Sequence, residues 1–235
     1  TAYEIGVRLV GSEMCIRDRV LEPRSVSLAK NNNVARFLYY QTALCYGLKP
    51  SQQPVSLDHQ IDPDNSSYSI SKTTTEQYLR LSGLDYVTFR LANVIGPRNV
   101  SGPLPIFYDR LKQLKGCFVT KSRRDFVCAA DLARVSILAA DGTGHGVYHF
   151  SSGRDIEILE LYDAVVGAMG LPEYPKPEIR ELGPDDAETI LLDPHKTLQD
   201  FGELEFTPLQ EVVNQAVKYY ETFGVQGGYS HLKRD

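Results

Sequence analysis

Two apolar runs with a capped helical segment between them constrain this chain more than any other feature. Val34 to Tyr40 is apolar apart from one arginine, the pattern of a strand covered on both faces in a parallel sheet. Asp85 to Leu91 reads as a second buried strand. Between them, Ser66-Ser67 offers side-chain oxygens to the first amides of a helix running from Tyr68 to about Ser82, and Gly83 suits its C-terminal end. Strands alternating with helices in this way predict an α/β fold built on a parallel sheet.

The rest of the chain is organised around that unit. Val20 to Lys30 reads as the end of a helix broken by Asn31-Asn32-Asn33. Residues 47–65, with Pro50, Pro54 and Pro63, and residues 93–103, with Gly96-Pro97 and Gly102-Pro103, read as loops. Helices are expected at about Pro105–Leu114, at Asp131–Ala140, at Glu157–Met169, and near Pro194 and Pro208. Short strands are expected at Gly146–Phe150 and Thr189–Leu192, and a surface loop at 171–187. The later, loop-rich stretch fits a smaller mixed lobe over the C-terminal edge of the sheet, where ligands of open α/β sheets bind.

Composition narrows the function. Of 235 residues 42% are hydrophobic and 23% charged, an ordinary globular balance. A net charge of −5 opposes a nucleic-acid binder, and the one basic run, Lys121-Ser122-Arg123-Arg124, is too short to follow a phosphate backbone. No apolar stretch approaches the ~20 residues of a membrane span. Cys45, Cys117 and Cys128 are far apart, and the five histidines are scattered. Neither a zinc site nor a disulfide framework is indicated, and free thiols suit a reducing cytoplasm.

Tyr68 and Lys72 lie four apart, so a helix puts them on one face. A phenol is a poor base at neutral pH, with a reference pKa of about 10. An ammonium beside it favours the phenolate, which then accepts a hydroxyl proton. Thr42, at the end of the first apolar run, can bridge substrate and phenol. Tyr-x-x-x-Lys alone is a weak signal, and Lys72 pairing with Glu76 on an exposed face is the alternative.

The strings Gln41-Thr42-Ala43-Leu44-Cys45-Tyr46-Gly47, Arg90-Leu91-Ala92-Asn93-Val94-Ile95-Gly96-Pro97-Arg98 and Arg124-Asp125-Phe126 accompany this pair. With them the chain resembles an extended short-chain dehydrogenase/reductase of the NAD-dependent nucleotide-sugar epimerase/dehydratase family, from about Val20 to about Val225. The resemblance is nearest to bacterial surface-polysaccharide UDP-sugar epimerases. It implies Thr42, Tyr68 and Lys72 as the catalytic Ser/Thr, Tyr and Lys, with Lys72 also on the nicotinamide ribose and Leu91 and Ala92 along the nicotinamide. It implies Asn93, Leu104, Pro105, Phe118, Val119, Arg124 and Asp186 as substrate contacts, with Phe118 and Val119 on the nucleotide base and Arg124 on the diphosphate. A guanidinium fork suits a diphosphate well. For Arg124 the alternative is an ion pair with Asp125 or Asp131.

Two departures matter. A second arginine common in the family just before the Asp186 position is replaced by Leu182-Gly183-Pro184-Asp185, which leaves Arg124, or Arg180 reaching in, to hold the diphosphate. Ala43-Leu44 stand where 4,6-dehydratases of the family carry an Asp-Glu pair, so dehydration is disfavoured and C4 epimerisation fits best. Another family reductase acting on a small ketone, or a non-catalytic remnant, are the competing readings.

A Gly-x-Gly-x-x-Gly or Gly-x-x-Gly-x-x-Gly after a first strand is the expected dinucleotide fingerprint, and none occurs before Thr42. Glu13-Met14-Cys15-Ile16-Arg17-Asp18 resembles a translated transposase adapter from short-read sequencing, so residues 1–19 are expected to be a non-native scar. The expected divisions are 20–100 as the C-terminal part of a Rossmann-like domain whose dinucleotide-binding half is missing, 101–225 as mainly the substrate lobe with about 125–150 returning to the sheet, and 226–235 as a polar tail. NAD is the implied cofactor, with NADP left open because the residue that reads the ribose would lie upstream. The intact protein is expected to be a cytoplasmic homodimer through helices 20–30 and 68–82, and the chain by itself inactive. No metal, nucleic acid or membrane partner is expected.

Overall fold

A computed structural model describes residues 24–171, 174, 176–183 and 186–225. The expected scar at 1–19, the start of the first helix at Val20 and the tail 226–235 lie outside the described residues. Residues 24–31 form the helix α1, which buries Val26 and Ala29.

Three parallel strands make the main sheet: β1 (Phe37–Thr42), β2 (Tyr86–Leu91) and β7 (Gly146–Phe150), in the order β1-β2-β7. The register pairs Thr42 with Leu91 and Leu91 with Phe150, so the three strands end together at one edge. Helix α2 (Ser67–Leu81) crosses between β1 and β2. Its N-cap is Ser66, whose Oγ accepts the Ser69 amide at 3.1 Å. Tyr39 and Gln41 of β1 and Leu79 of α2 are buried on the α2 side. The other face carries a second core of Phe89, Tyr148 and Phe150 from the sheet, Val135 and Ala139 from α4 (Ala129–Ala140), and Phe201 from α6 (His195–Phe201).

Helices α2 and α4 cover β1 on its two faces, as expected, but its edge position leaves one large side chain partly open. Tyr40 is 39% exposed even though its hydroxyl donates to Ser136 Oγ at 2.8 Å. Among the described residues β1 is an edge strand on the sheet's open side.

The smaller lobe is helical at its centre. α3 (Pro103–Lys112), α5 (Ile158–Ala168) and α7 (Leu209–Phe223) bury one cluster that includes Leu104, Tyr108, Leu111, Leu161, Val165, Val213 and Tyr220. Truncating any one of these leucines to alanine costs about 2–5 kcal/mol by general experience with cores. Three small strand pairs surround it: β3 (Asn93–Ile95) with β6 (Phe126–Cys128), β4 (Phe118–Thr120) with β9 (Glu178–Arg180), and β5 (Arg123–Arg124) with β8 (Ile156–Glu157). The regions 93–103 and 171–187, expected to be loops, therefore each contain a short strand. Thr189–Leu192, expected as a strand, makes only the single bridge Val55↔Leu192.

Candidate active site

β1 delivers Thr42 to the sheet edge, and its extended backbone caps the 3-10 turn Ala43–Tyr46, with Thr42 Oγ1 accepting the Leu44 amide at 3.2 Å. One lone pair of that hydroxyl is thus used locally, and its proton stays available for donation. Gly47 closes the turn at φ +85°, a conformation glycine adopts without steric cost. α2 starts beside this turn: Ser69 Oγ and Asn65 Nδ2 both donate to Leu44 O, at 2.9 and 2.8 Å. Tyr68 lies in the first turn of α2 and Lys72 in the second. The Lys72 ammonium is 6.0 Å from the Tyr68 ring centroid and 5.3 Å from that of Tyr39. Tyr39 in turn donates its hydroxyl to Lys72 O at 3.0 Å, tying this helical turn to β1.

Glu76 does not pair with Lys72. It is buried beneath α2, where Arg90 of β2 donates to both its oxygens, Nε to Oε2 at 3.0 Å and Nη2 to Oε1 at 2.5 Å. Arg90 Nη1 also donates to the Tyr46 hydroxyl. Tyr46 meets His149 Nε2 at 2.6 Å, and His149 Nδ1 meets Asp193 O at 2.9 Å. A carbonyl only accepts, so Nδ1 carries the proton, Nε2 accepts, and Tyr46 is the donor. The chain Glu76–Arg90–Tyr46–His149 thus ties the Tyr68 helix, the Thr42 turn and strands β2 and β7 together. Burial pushes the Cys45 thiol up to about 12, so the thiol beside Tyr46 is an inert core group.

Burial lowers the His149 pKa to about 4 from its ordinary 6.5. The unfolded chain therefore takes up a proton that the folded chain refuses. The stability this provides is complete above about pH 6.5 and is lost as pH falls toward about 4. Between pH 7 and 4.5 the loss from this residue is roughly 2–3 kcal/mol. Urea unfolding at the two pH values measures it. The decrement shrinks in His149→Gln, whereas the carboxylates Asp85 and Asp155, held low by Arg36 and by Thr189 with Arg123, keep their own acid sensitivity.

A cavity of ≈ 360 Å³ opens beside the sheet edge. Five residues expected to touch substrate line it: Asn93, Phe118, Val119, Arg124 and Asp186. Leu104 and Pro105 do not. Both are buried, Leu104 within the α3–α5–α7 cluster. The helix starts at Pro103, so Pro103, Ile106, Phe107 and Arg110 share the cavity face at helical spacing, while Leu104, Tyr108 and Leu111 share the core face. Arg110 is the residue that sequence reasoning missed; the three-and-four spacing from Pro103 carried the signal.

Arg124 Nη1 donates to Arg123 O at 2.7 Å and Glu188 O at 3.1 Å, leaving most of its fork for the cavity. Burial lowers its pKa, and the nearby charge of Asp186 opposes that shift. The surface ion pairs considered for it do not form. Asp125 accepts from Ser151 Oγ at 2.6 Å and from Ser152 N and Oγ at 2.8 and 2.5 Å, and Asp131 accepts from Thr207 and Arg134. Arg180 does not line the cavity; it pairs with Glu178.

Thr42, Tyr68 and Lys72 lie outside the cavity lining, at the sheet edge. The two groups meet through three consecutive residues. Leu91 is in register with Thr42, the Ala92 amide donates to Phe150 O at 2.9 Å, and Asn93 lines the cavity. Among the described residues no group of three or more His, Cys, Asp or Glu could hold a metal ion, and no helix is long and apolar enough to cross a membrane.

A family model described as NAD dependent epimerase/dehydratase family matches residues 16–149. The enzyme WbmH of Bordetella bronchiseptica, solved in complex with NAD+, is 67% identical with a TM-score of 0.85, over 86% of this chain and 68% of that one. WbmG of the same organism, solved with NAD and UDP, is 34% identical with a TM-score of 0.82, over 91% of this chain and 69% of that one. The UDP-glucose 4-epimerase of Mycolicibacterium smegmatis is 28% identical over 74% of this chain and 58% of its own length. The chain spans about half the length of the curated relatives it matches, 48% and 58%.

Proposed function

Because the chain belongs to the NAD dependent epimerase/dehydratase family, we propose that it carries the substrate-binding and acid/base half of a nucleotide-sugar epimerase, acting on a UDP-sugar at C4. The observation that carries this reading is the continuity just described. A tyrosine–lysine pair at a sheet edge runs through Leu91-Ala92-Asn93 into a cavity walled by an aromatic ring on one strand and a half-buried arginine on another.

The Lys72 ammonium beside Tyr68 and the small Leu91-Ala92 edge fit the nicotinamide-ribose end of NAD, while the sequence has no glycine fingerprint for its pyrophosphate before Thr42. NAD bound there would supply reversible hydride acceptance at the sugar carbon. Tyr68 oxygen would accept the 4-hydroxyl proton on oxidation of the sugar and give it back on reduction from the other face. The positive charge of Lys72 stabilises the phenolate, and Thr42 donates to the sugar oxygen. Arg124 binds the diphosphate, Asn93 and Asp186 hydrogen-bond the substrate, and Phe118 with Val119 lies along the base. Ala43 and Leu44 offer no carboxylate for a further proton transfer, which favours epimerisation over dehydration.

The 235-residue chain by itself is expected to bind nucleotide sugar without turnover. Joined in frame to the dinucleotide-binding part of WbmH, it should interconvert C4 epimers of a UDP-sugar, followed by the anomeric proton signals in NMR. Tyr68→Phe should lower that rate by about 10²–10⁴-fold. Turnover by the unextended chain, or full activity of the phenylalanine variant, would contradict the respective claims. Leu28, Ile70, Tyr78 and Leu81 expose apolar surface on α1 and α2, which supports a homodimer through these helices in the complete enzyme. A cytoplasmic role in surface-polysaccharide assembly accompanies the same reading.

A further inference from the structure

We propose that Arg180, held by Glu178, backs the ring of Phe118 and makes it a rigid stacking platform for the base of the substrate. This rests on the reading of the cavity as a nucleotide-sugar site. β4 and β9 are parallel, with Phe118 opposite Glu178 and Thr120 opposite Arg180. The Arg180 guanidinium lies 4.0 Å from the Phe118 ring centroid. Glu178 grips it at two points, Nε to Oε1 at 2.9 Å and Nη2 to Oε2 at 2.7 Å. Phe118 is 42% exposed and lines the cavity, whereas Arg180 does not. The guanidinium therefore covers the side of the ring turned from the ligand space, and the other side stays open for a flat group.

The start of β4 is held as well. Arg110 Nε and Nη2 both donate to Gly116 O, at 2.7 and 2.5 Å, and the Glu178 amide donates to Cys117 O at 3.0 Å. A half-exposed phenylalanine at a strand end samples several rotamers, and stacking a base on it then costs the freedom of both partners. With one face occupied by a fixed, planar cation, that cost is met before the ligand arrives. Glu178 and Arg180 are both exposed, so nothing in the core requires them. A platform of this kind accepts the π-face of any base and sets affinity rather than the identity of the base.

Isothermal titration of the 235-residue chain with UDP and, separately, with inorganic pyrophosphate tests the proposal. Arg180→Ala is expected to weaken UDP binding by roughly three- to fivefold, the range of an exposed cation–π contact, and to leave pyrophosphate binding unchanged. Arg180→Lys keeps the charge but loses the planar fork, and is expected to behave like the alanine variant. UDP binding equal to wild type in Arg180→Ala overturns the proposal. So does an equal loss of pyrophosphate binding restored by lysine, since that makes Arg180 a phosphate ligand. A wild-type chain that binds pyrophosphate but not UDP overturns the nucleotide-sugar reading together with this platform. A variant defect with intact wild-type binding concerns Arg180 alone.

Discussion

Glu76→Ala costs the folded chain about 3–5 kcal/mol, because it leaves the Arg90 guanidinium buried without its counter-charge. Arg90 and Glu76 are 3% and 1% exposed, and Arg90 donates to both carboxylate oxygens and to Tyr46. The damage spreads through the Arg90–Tyr46 hydrogen bond to the turn that presents Thr42. The cost belongs to the unpaired charge rather than to the pair. A double variant, Glu76→Leu with Arg90→Met, should recover most of the loss, since well-packed apolar groups of similar volume replace buried ion pairs at little cost. Urea unfolding followed by circular dichroism measures both. A midpoint for Glu76→Ala within error of wild type would contradict a buried pair at this position.

Arg124→Ala should weaken UDP-sugar binding by about 10- to 100-fold, the range of charge-assisted hydrogen bonds lost from a partly buried site. Its partial burial makes the guanidinium costly to keep without a ligand, and the charge of Asp186 offsets that through space. Lysine should not restore affinity, because one ammonium cannot span two phosphate oxygens as the planar fork does. Calorimetric titration with UDP-glucose gives the affinities, and a change below twofold would remove Arg124 from the binding machinery.

The main sheet was readable from the chain because β1, β2 and β7 are apolar runs bounded by turn residues, and α2 carries its own cap in Ser66. The smaller pieces were not. Asn93–Ile95 is a strand only because Phe126–Cys128, some thirty residues on, pairs with it. Glu178–Arg180 has three exposed side chains and no alternation to betray it. Thr189–Leu192 has the composition of a strand, yet the Gln53 side chain takes the Leu191 amide at 2.7 Å and the Thr189 carbonyl at 3.0 Å, so ladder bonds are replaced by side-chain ones. Periodicity put Lys72 and Glu76 on one helical face correctly. It could not say that this face turns inward two turns from the start, where Arg90 waits on a strand that reads simply as apolar. In the site, the motif strings name Asn93 and Arg124, which line the cavity together with Phe118, while Leu104 and Pro105 lie outside its lining because the helix begins two residues earlier than its apolar pattern suggests.

The central claim is that the cavity beside the Tyr68 edge takes a nucleotide sugar. Backbone amide NMR of the 235-residue chain titrated with UDP-glucose tests it most directly. The account predicts saturable shifts concentrated at Asn93, at 118–124 and around Asp186, with α1 and the exposed face of α4 unmoved. No shifts at millimolar ligand, or shifts centred away from this cavity, would contradict it.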